Sequence, residues 1–409
     1  ENTDGLKDIF GQVEEHIDEV QEVRIYVKGP KDAAADYEAK DEHGVYIPFN
    51  LSFKSLIYSS ESTRYNPQLA YMLMALAYSA YNANGSGNKN TLDDCNIYYS
   101  YKSMGLDEDD IKLYNYYKKI SDPEYGEDNV GFAFGRSTLP NGKKLVVVSV
   151  RGSVGAIASR SSDWKSNFNL GEVAPGTYYH SGFKSAADKV MNELDGYSGG
   201  FDKDTVYVVT GHSRGAAVAN IVSKLLVDKG ISQDNVFDYN FACPDVARDA
   251  SGVWNKDGKY NNIMNINDCS DPIAWVPGVA GNIIGDFIGK NKGISNLISA
   301  INDLRKKGFS DDFKWKNLVS AWGKYGNTYW FSNDWRNIGA LLLKTDSHQQ
   351  ENYLGYLSKL KPQSELKGTE DAAIRQLCAE ATSKIIILAF FCPVDVELVD
   401  SDGNLLAAV

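Results

Sequence analysis

The hydrophobic pattern of the chain is most regular between residues 129 and 275, where apolar runs of strand length alternate with helical segments. Such runs occur at Lys144–Val150, Thr205–Thr210, Asn235–Phe241 and Asn261–Ile266. The first is apolar at almost every position, which is typical of a strand buried on both faces. Strands that alternate with helices predict an α/β fold with a mostly parallel central sheet and helices on both faces.

Further elements are predicted on either side of this region. Val23–Val27 has the composition of a strand, and an apolar helix is predicted to start at Asn66, because the following proline is favoured in a first helical turn. An aromatic-rich stretch predicts another helix after Gly105. Asn129–Phe134 is predicted to pair with the first apolar run through the turn Pro140-Asn141-Gly142.

The pattern divides the chain into three segments. Residues 1–60 form an N-terminal extension, with a helix predicted at Asp8–Val23, and residues 61–383 form the main domain. The main domain carries an insertion at about 278–340, which is rich in Gly, Asn and Trp and interrupts the alternation. Residues 384–409 predict a C-terminal β hairpin, which we interpret as the start of a truncated β-module.

Composition and charge exclude several classes of function. The net charge of −12 argues against nucleic acid and anionic membrane surfaces as electrostatic partners. No run approaches 18 apolar residues, so no transmembrane segment is predicted. The five cysteines contain no C-x-x-C pair, which argues against a zinc site, and we expect no metal. The oligomeric state is left open.

The clearest chemical motif follows the strand Thr205–Thr210. The sequence Gly211-His212-Ser213-Arg214-Gly215 leads directly into an Ala-rich helix, which makes it a G-x-S-x-G nucleophile elbow. The two glycines leave room for the strand and the helix to approach each other. We therefore predict Ser213 as a catalytic nucleophile; the alternative is an ordinary serine in a glycine-bracketed turn.

A serine nucleophile needs a base, which is usually a histidine. Enzymes with this type of elbow place serine, acid and histidine in that order along the chain, and only His348 follows Ser213 among the five histidines. His348 is therefore the predicted base. His212 and His180 are predicted to line the site.

The orienting acid is expected after a strand between the serine and the histidine. Asp245, Asp268 and Asp271 meet this condition, and we favour Asp271, which opens the loop Asp-Pro-Ile-Ala-Trp-Val-Pro. The two oxyanion-hole donors are predicted to be Ser153, in the Arg-Gly-Ser sequence after a buried strand, and Arg214, which follows the nucleophile. The alternative for the first is a plain turn at a strand end.

Six motifs in this order resemble the class 3 lipases, a fungal-lipase-like family of the α/β-hydrolase superfamily. They are VVVSVRGS, SDW, HSGF, VTGHSRGAAVAN, NINDCSDPIAWVP and DSHQQENYL. The resemblance implies an α/β-hydrolase fold with Ser213, Asp271 and His348 as the triad and Ser153 with Arg214 at the oxyanion. It also implies hydrolysis of carboxylic esters, typically acylglycerols, without a metal or organic cofactor.

The chain departs from the family in two places. Arg214 stands where the family usually has Leu, and the segment between the acid and the base looks longer than usual. We therefore keep two alternatives to a lipase: an esterase acting on phospholipid, feruloyl or acetyl esters, and a non-catalytic hydrolase-fold binding protein. Because the chain begins at Glu1 without Met, and because secretion is usual in the family, we expect a secreted protein.

Overall fold

The structure is a computed structural model. It describes residues 22–27, 39–81, 95–114, 130–153, 174, 177–248, 255–268, 271, 273–275, 322–331, 348–359, 397–399 and 405–408. The helix predicted at Asp8–Val23 lies outside these residues except at its last two positions, and so does most of the segment at about 278–340.

Helices and strands alternate through most of the described chain. The helices are α1 Phe53–Ser59, α2 Pro67–Ser79, α3 Asn96–Ser103, α4 Ser181–Ser198, α5 Arg214–Asp228 and α6 Gln350–Leu357. The strands are β1 Val23–Val27, β2 Ala39–Asp41, β3 Gly44–Phe49, β4 Lys112–Tyr114, β5 Phe132–Thr138, β6 Lys144–Val150, β7 Val206–His212, β8 Val236–Phe241, β9 Ala247–Arg248, β10 Ile263–Asp268, β11 Trp322–Gly323, β12 Asn327–Phe331, β13 Glu397–Val399 and β14 Leu405–Ala408.

A seven-stranded sheet forms the centre of the fold, in the order β12-β10-β8-β7-β6-β5-β4. The five strands from β12 to β6 are parallel, and β5 and β4 extend the sheet in antiparallel pairing. The carboxyl ends of β6, β7 and β10 therefore meet at one edge, where an α/β sheet places its site. The predicted mostly parallel α/β sheet is confirmed.

Both faces of this sheet are covered by apolar side chains. In β6, Val147 belongs to one buried cluster and Val146 and Val148 belong to the other, which is the alternation of a strand with two buried faces. Helices α1, α2, α3 and α6 contribute to the first cluster, and α4 and α5 contribute to the second. The predicted placement of helices on both faces is thus confirmed.

The described part of the N-terminal segment packs on the main domain. Strand β1 lies in the antiparallel sheet β1-β3-β2, and its Val23, Ile25 and Val27 join the same buried cluster as α2. Strand β1 and helix α2 begin at the predicted residues, and the Asn66 side chain accepts hydrogen bonds from two N–H groups of the first turn of α2. The division of the chain into three segments stays a prediction.

The helix predicted after Gly105 is wrong for residues 106–114, where the structure has one short 3₁₀ turn, Glu108–Asp110, before β4; the rest of the predicted helix lies outside the described residues. The helix lies before that residue, as α3, and the chain then forms β4, which pairs with β5. Gly105 has φ of 74°, a left-handed conformation that ends a helix. The aromatic residues on both sides gave no signal for the change of element.

Described strands fall within both the predicted insertion and the predicted C-terminal hairpin. Strand β12 falls within the segment at about 278–340, yet it pairs with β10 at the edge of the central sheet, so this part of the segment belongs to the core fold. Strands β13 and β14 pair antiparallel, as predicted for the C-terminal hairpin. Among the described helices, none has the length and apolar character needed to cross a membrane.

Candidate active site

The elbow between β7 and α5 holds Ser213 in an uncommon backbone conformation. Its φ is 60° and its ψ is −129°, which side chains other than glycine seldom adopt and which marks a site of stored strain. Close packing enforces this turn: a Cβ on Gly211 would lie 2.4 Å from the Gly215 backbone, and a Cβ on Gly215 would lie 2.2 Å from the Val150 carbonyl oxygen. Both positions therefore require glycine.

The Ser213 hydroxyl is directed away from its own helix. Serine at the position before a helix normally caps the first turn, but Ser213 makes no such hydrogen bond. Its Oγ instead lies 2.9 Å from Nε2 of His348. The Ser213 hydroxyl therefore contacts an imidazole and does not cap the helix, which places it to transfer its proton to His348.

His348 lies between the serine and a carboxylate. Its Nδ1 is 2.8 Å from Oδ2 and 3.0 Å from Oδ1 of Asp271. Because the carboxylate only accepts, Nδ1 carries the proton and Nε2 is free to accept from the Ser213 hydroxyl. These three side chains are separated by up to 135 residues in sequence and form one continuous hydrogen-bonded chain.

Asp271 is fully buried and remains ionised. Burial alone would raise its pKa, but the electrostatic interaction with His348 and hydrogen bonds from His348, Tyr353 and the Ile273 N–H together hold the pKa below its usual value. The Tyr353 hydroxyl lies 2.9 Å from Oδ2 of Asp271. The carboxylate is thus held by partners on both oxygens.

The two other candidate carboxylates have different partners. Asp268 accepts a hydrogen bond from the Asn352 side-chain amide at 2.8 Å. Asp245 forms a buried ion pair with Lys324 at 3.0 Å. Of the three candidates, Asp271 is the one that contacts the imidazole of His348.

The Arg151-Gly152-Ser153 loop after β6 lies directly against the elbow. A Cβ on Gly152 would come within 2.6 Å of the His212 carbonyl oxygen and 1.9 Å of the Tyr81 hydroxyl oxygen. The loop backbone therefore touches the residue that precedes Ser213, and Ser153 is the next residue along it. Glycine is needed at 152 because a side chain would separate the loop from the elbow.

Arg214 begins α5 and its side chain is buried. Its backbone N–H lies in the first turn of the helix, where the macrodipole favours negative charge. Its guanidinium also affects His180. Burial first, and then the positive charge of Arg214, lower the pKa of His180 to about 3.

His180 and His212 occupy different environments, although both were predicted to line the site. The His180 ring stacks on Phe183 with 4.2 Å between ring centroids and is fully buried. The His212 ring instead lies 4.9 Å from the His348 ring. His212 therefore contacts His348 directly, whereas the aromatic rings beside His180 are those of Phe183 and Trp322, with the Arg214 guanidinium also nearby.

Two tyrosines in contact with the site were missed by the sequence analysis. Tyr353 holds Asp271, and Tyr81 lies 3.1 Å from Nδ1 of His212. Tyr353 lies inside the DSHQQENYL motif, so its proximity to His348 was a usable signal. Tyr81 follows α2, more than 130 residues before its partner, and nothing local marks it. Among the described residues, no group of His, Cys, Asp and Glu is arranged to hold a metal ion.

A mostly parallel sheet with helices on both faces, and an elbow serine at the carboxyl end of a central strand, defines an α/β-hydrolase fold. The family model for lipase (class 3) matches residues 147–280, which include the second half of β6, all of β7 and the acid candidate Asp271. The resemblance to the class 3 lipases is thus confirmed over that part of the chain.

Individual relatives are similar over parts of the chain. The secreted mono- and diacylglycerol lipase 1 of Fusarium solani is 32% identical over 146 residues, which are 34% of this chain and 40% of that protein. The chain thus matches less than half the length of this relative.

Solved structures of fungal lipases are also similar. A lipase from Rhizopus microsporus var. chinensis is 19% identical with a TM-score of 0.33, over 63% of this chain and 78% of its own. A Rhizomucor miehei lipase in complex with its propeptide is 20% identical with a TM-score of 0.33, over 61% and 73%.

Proposed function

We propose that this protein is a serine hydrolase that cleaves carboxylic esters of acylglycerols. The observation that carries the proposal is the continuous chain of hydrogen bonds from Ser213 Oγ through His348 to Asp271, at 2.9 Å and 2.8 Å. The strained backbone of Ser213 and its missing helix cap support the same role. The class 3 lipase match over residues 147–280 supports the ester-hydrolase chemistry.

The first half of the reaction acylates the enzyme. His348 Nε2 accepts the proton of the Ser213 hydroxyl as Oγ forms a bond to the ester carbonyl carbon, and the carbonyl π electrons move onto oxygen. Asp271 stabilises the imidazolium without taking its proton. The tetrahedral intermediate collapses, the bond to the alcohol oxygen breaks, and the leaving alcohol takes the proton from Nε2.

The second half releases the acid. Water gives a proton to His348 Nε2 and attacks the acyl carbon, and the second tetrahedral intermediate expels Ser213, which recovers the proton. The backbone N–H of Arg214 and the backbone N–H of Ser153 are the proposed donors to both oxyanions. Contact between Gly152 and the elbow supports this assignment for the loop that carries Ser153.

The proposal that acylglycerols are the substrates rests on the similarity of the chain to a named lipase. The Fusarium solani relative is named as a mono- and diacylglycerol lipase, and its name also describes it as secreted. We therefore propose an extracellular enzyme that acts on acylglycerols. Recovery of ester hydrolysis from washed cells rather than from the culture supernatant would contradict the location.

Ester hydrolysis by the purified protein and its Ser213→Ala variant tests the mechanism. We expect the variant to lose roughly 10⁴- to 10⁶-fold in kcat, because the nucleophile is removed. His43→Gln is a suitable control, since His43 is exposed and lies on the β2–β3 turn. Turnover of p-nitrophenyl butyrate by Ser213→Ala at the wild-type rate would refute the triad.

A panel of esters separates the substrate classes. We expect hydrolysis of mono- and diacylglycerols, and of p-nitrophenyl esters with long acyl chains. Turnover confined to short soluble esters, to feruloyl or acetyl esters, or to phospholipids would replace the lipase assignment by the corresponding esterase or phospholipase. A protein that binds these esters but turns over none of them would be a binding protein of hydrolase fold.

A further inference from the structure

His212, the residue before the nucleophile, contacts the main chain of the proposed base. Its ring is buried, and its Nε2 lies 3.0 Å from the carbonyl oxygen of His348. A carbonyl oxygen only accepts hydrogen bonds, so Nε2 of His212 must carry the proton and donate it. This hydrogen bond spans 136 residues in sequence and joins the elbow to the segment that carries the base.

The other ring nitrogen of His212 is held as an acceptor. The Tyr81 hydroxyl lies 3.1 Å from Nδ1, and the Gln350 side-chain amide lies 3.3 Å from the same atom. Both groups can donate to Nδ1, and a ring that accepts at Nδ1 keeps its proton at Nε2. Tyr81 and Gln350 therefore select the tautomer that binds His348.

His212 remains neutral across the pH range in which an ester hydrolase works. Burial first, and then electrostatic repulsion between the two imidazoles of His212 and His348, lower the pKa of His212 to about 3. The residue therefore offers a constant Nε2–H donor and does not compete with His348 for the serine proton. Its role is to hold another residue, not to transfer protons.

His348 is thus fixed at two separate points. Asp271 holds the imidazole at Nδ1, and His212 holds the main-chain carbonyl. Proton transfer requires heavy atoms about 2.6–3.2 Å apart, so a small movement of the His348 backbone would open the 2.9 Å contact with Ser213. A displacement of about 1 Å can cost roughly 100-fold in rate.

We propose that His212 is a positioning residue for acyl transfer: its Nε2–H binds the main-chain carbonyl of His348 and keeps the imidazole in line with Ser213. Tyr81 completes the arrangement by fixing the His212 tautomer. The Tyr81 hydroxyl also packs against Gly152, where it leaves no room for a Cβ, so Tyr81 lies between His212 and the loop that carries the proposed oxyanion donor Ser153. The proposal rests on the proposed function of the triad.

Two amide substitutions at position 212 separate positioning from simple packing. Glutamine can present an amide N–H where Nε2 of histidine lies, whereas asparagine reaches only the place of Nδ1. We expect His212→Asn to lose about 100-fold in kcat on p-nitrophenyl butyrate with little change in KM. His212→Gln is expected to recover most of that loss, because it restores the donor to His348.

A packing role gives a different order. Both amide side chains are smaller than imidazole, and asparagine is the smaller of the two. If a cavity caused the loss of kcat, the variant with the lower melting temperature would also have the lower kcat. Equal kcat losses in the two variants, or a loss that follows melting temperature, would overturn the proposal. Tyr81→Phe keeps the ring and removes the hydroxyl, and we expect it to lower kcat by roughly 2- to 10-fold, as the loss of one neutral hydrogen bond would.

The outcome can be separated from that of the triad itself. If Ser213→Ala abolishes activity but His212→Asn keeps the full kcat, the positioning role is refuted and the proposed triad is not. Activity that survives in Ser213→Ala would refute both. If His212→Asn does not fold, the rate at which a fluorophosphonate modifies Ser213 in Tyr81→Phe gives the decisive comparison, and an unchanged rate would overturn the proposal.

Discussion

At the scale of the residue, the chemistry of the site depends on a carboxylate that stays charged inside the protein. Asp271 is fully buried, and such a group would normally be neutralised by the loss of water. The electrostatic interaction with His348 and the hydrogen bonds from His348, Tyr353 and the Ile273 N–H reverse this tendency and keep the pKa of Asp271 below its usual value. A charged Asp271 both selects the His348 tautomer and stabilises the imidazolium.

The Asp271→Asn variant tests this electrostatic role. An amide cannot stabilise the imidazolium and can also donate to Nδ1, which favours the wrong tautomer. We expect kcat to fall about 10⁴-fold with the fold intact. The Tyr353→Phe variant keeps the carboxylate and should lose much less activity. An Asp271→Asn kcat within tenfold of the wild type would contradict the role assigned to the carboxylate.

Acid sensitivity of the fold is a second prediction at this scale. The pKa of His180 is about 3 in the folded protein and near 6.5 when unfolded, so the unfolded chain binds an additional proton between these values. The neutral His180 therefore contributes fully to the free energy of unfolding above pH 6.5. This contribution falls as the pH is lowered and is smaller by about 2 kcal/mol at pH 5.

The His180→Phe variant removes this dependence, since phenylalanine suits a ring stacked on Phe183. Urea unfolding at pH 7.5 and pH 5.0 measures the effect in both proteins. We expect the wild type to lose about 2 kcal/mol more than the variant over this interval. Equal losses would show that His180 is not neutral and buried in the folded state.

At the scale of the element, the elbow depends on the close approach of β6, β7 and α5, whose backbones leave no room for a side chain at Gly211 or Gly215. Gly215 in α5 faces the end of β6, and a Cβ there would lie 2.2 Å from the Val150 carbonyl oxygen. Because this contact is with backbone, it cannot be relieved by a change of rotamer. Helix α5 would have to move, and Ser213 and the Arg214 N–H would move with it.

Two alanine substitutions in helices test this packing. Gly215→Ala should destabilise the protein by about 1–3 kcal/mol or more and lower kcat strongly. Gly196→Ala in α4 is the matched control, since a Cβ at that position meets nothing within 4 Å. That change should stabilise the protein by roughly 0.5–1 kcal/mol and leave kcat unchanged. A Gly215→Ala enzyme with wild-type stability and kcat would contradict the close approach.

Elements with strong local signals could be predicted from the sequence, and elements defined by distant contacts could not. The elbow and α2 carry their own markers, two glycines around a serine and an Asn-Pro start. Strand β12 was missed because its pairing with β10 depends on a partner more than 60 residues away. The element after Gly105 was assigned wrongly because aromatic residues suit both helices and strands.

The same distinction applies to the site. The proposed nucleophile Ser213 rests on a local motif, and the proposed base His348 rests on chain order because no other histidine comes later. Three carboxylates met the condition for the acid; the loop that Asp271 opens favoured that residue, and the structure adds its contact with the His348 imidazole. The supporting contacts of His212 and Tyr81 could not be predicted, since hydrogen bonds across 131 and 136 residues leave no local trace.

At the scale of the whole molecule, the site lies where several parallel strands end. Ser153, Ser213 and Asp271 follow β6, β7 and β10, so one edge of the sheet holds the proposed donor, nucleophile and acid. The buried clusters on the two faces fix the relative positions of these strands. The chain as a whole carries a net charge of −12.

If the protein has the proposed lipase activity, this net charge predicts how the rate depends on the charge of the lipid surface. Repulsion should slow hydrolysis of diacylglycerol in anionic vesicles relative to zwitterionic vesicles at low salt. At about 0.01 M salt the screening length is near 30 Å, and at about 0.15 M it is near 8 Å, so added salt should remove most of the difference. Faster hydrolysis in anionic vesicles at low salt would contradict this expectation.

Labelling with a fluorophosphonate tests the central claim most directly, because the probe reacts with a serine only when a base has activated it. The account predicts a single adduct that mass spectrometry assigns to Ser213, and a much slower reaction in the His348→Ala variant. An adduct on another serine, or equally fast labelling of Ser213 when the imidazole is absent, would contradict it.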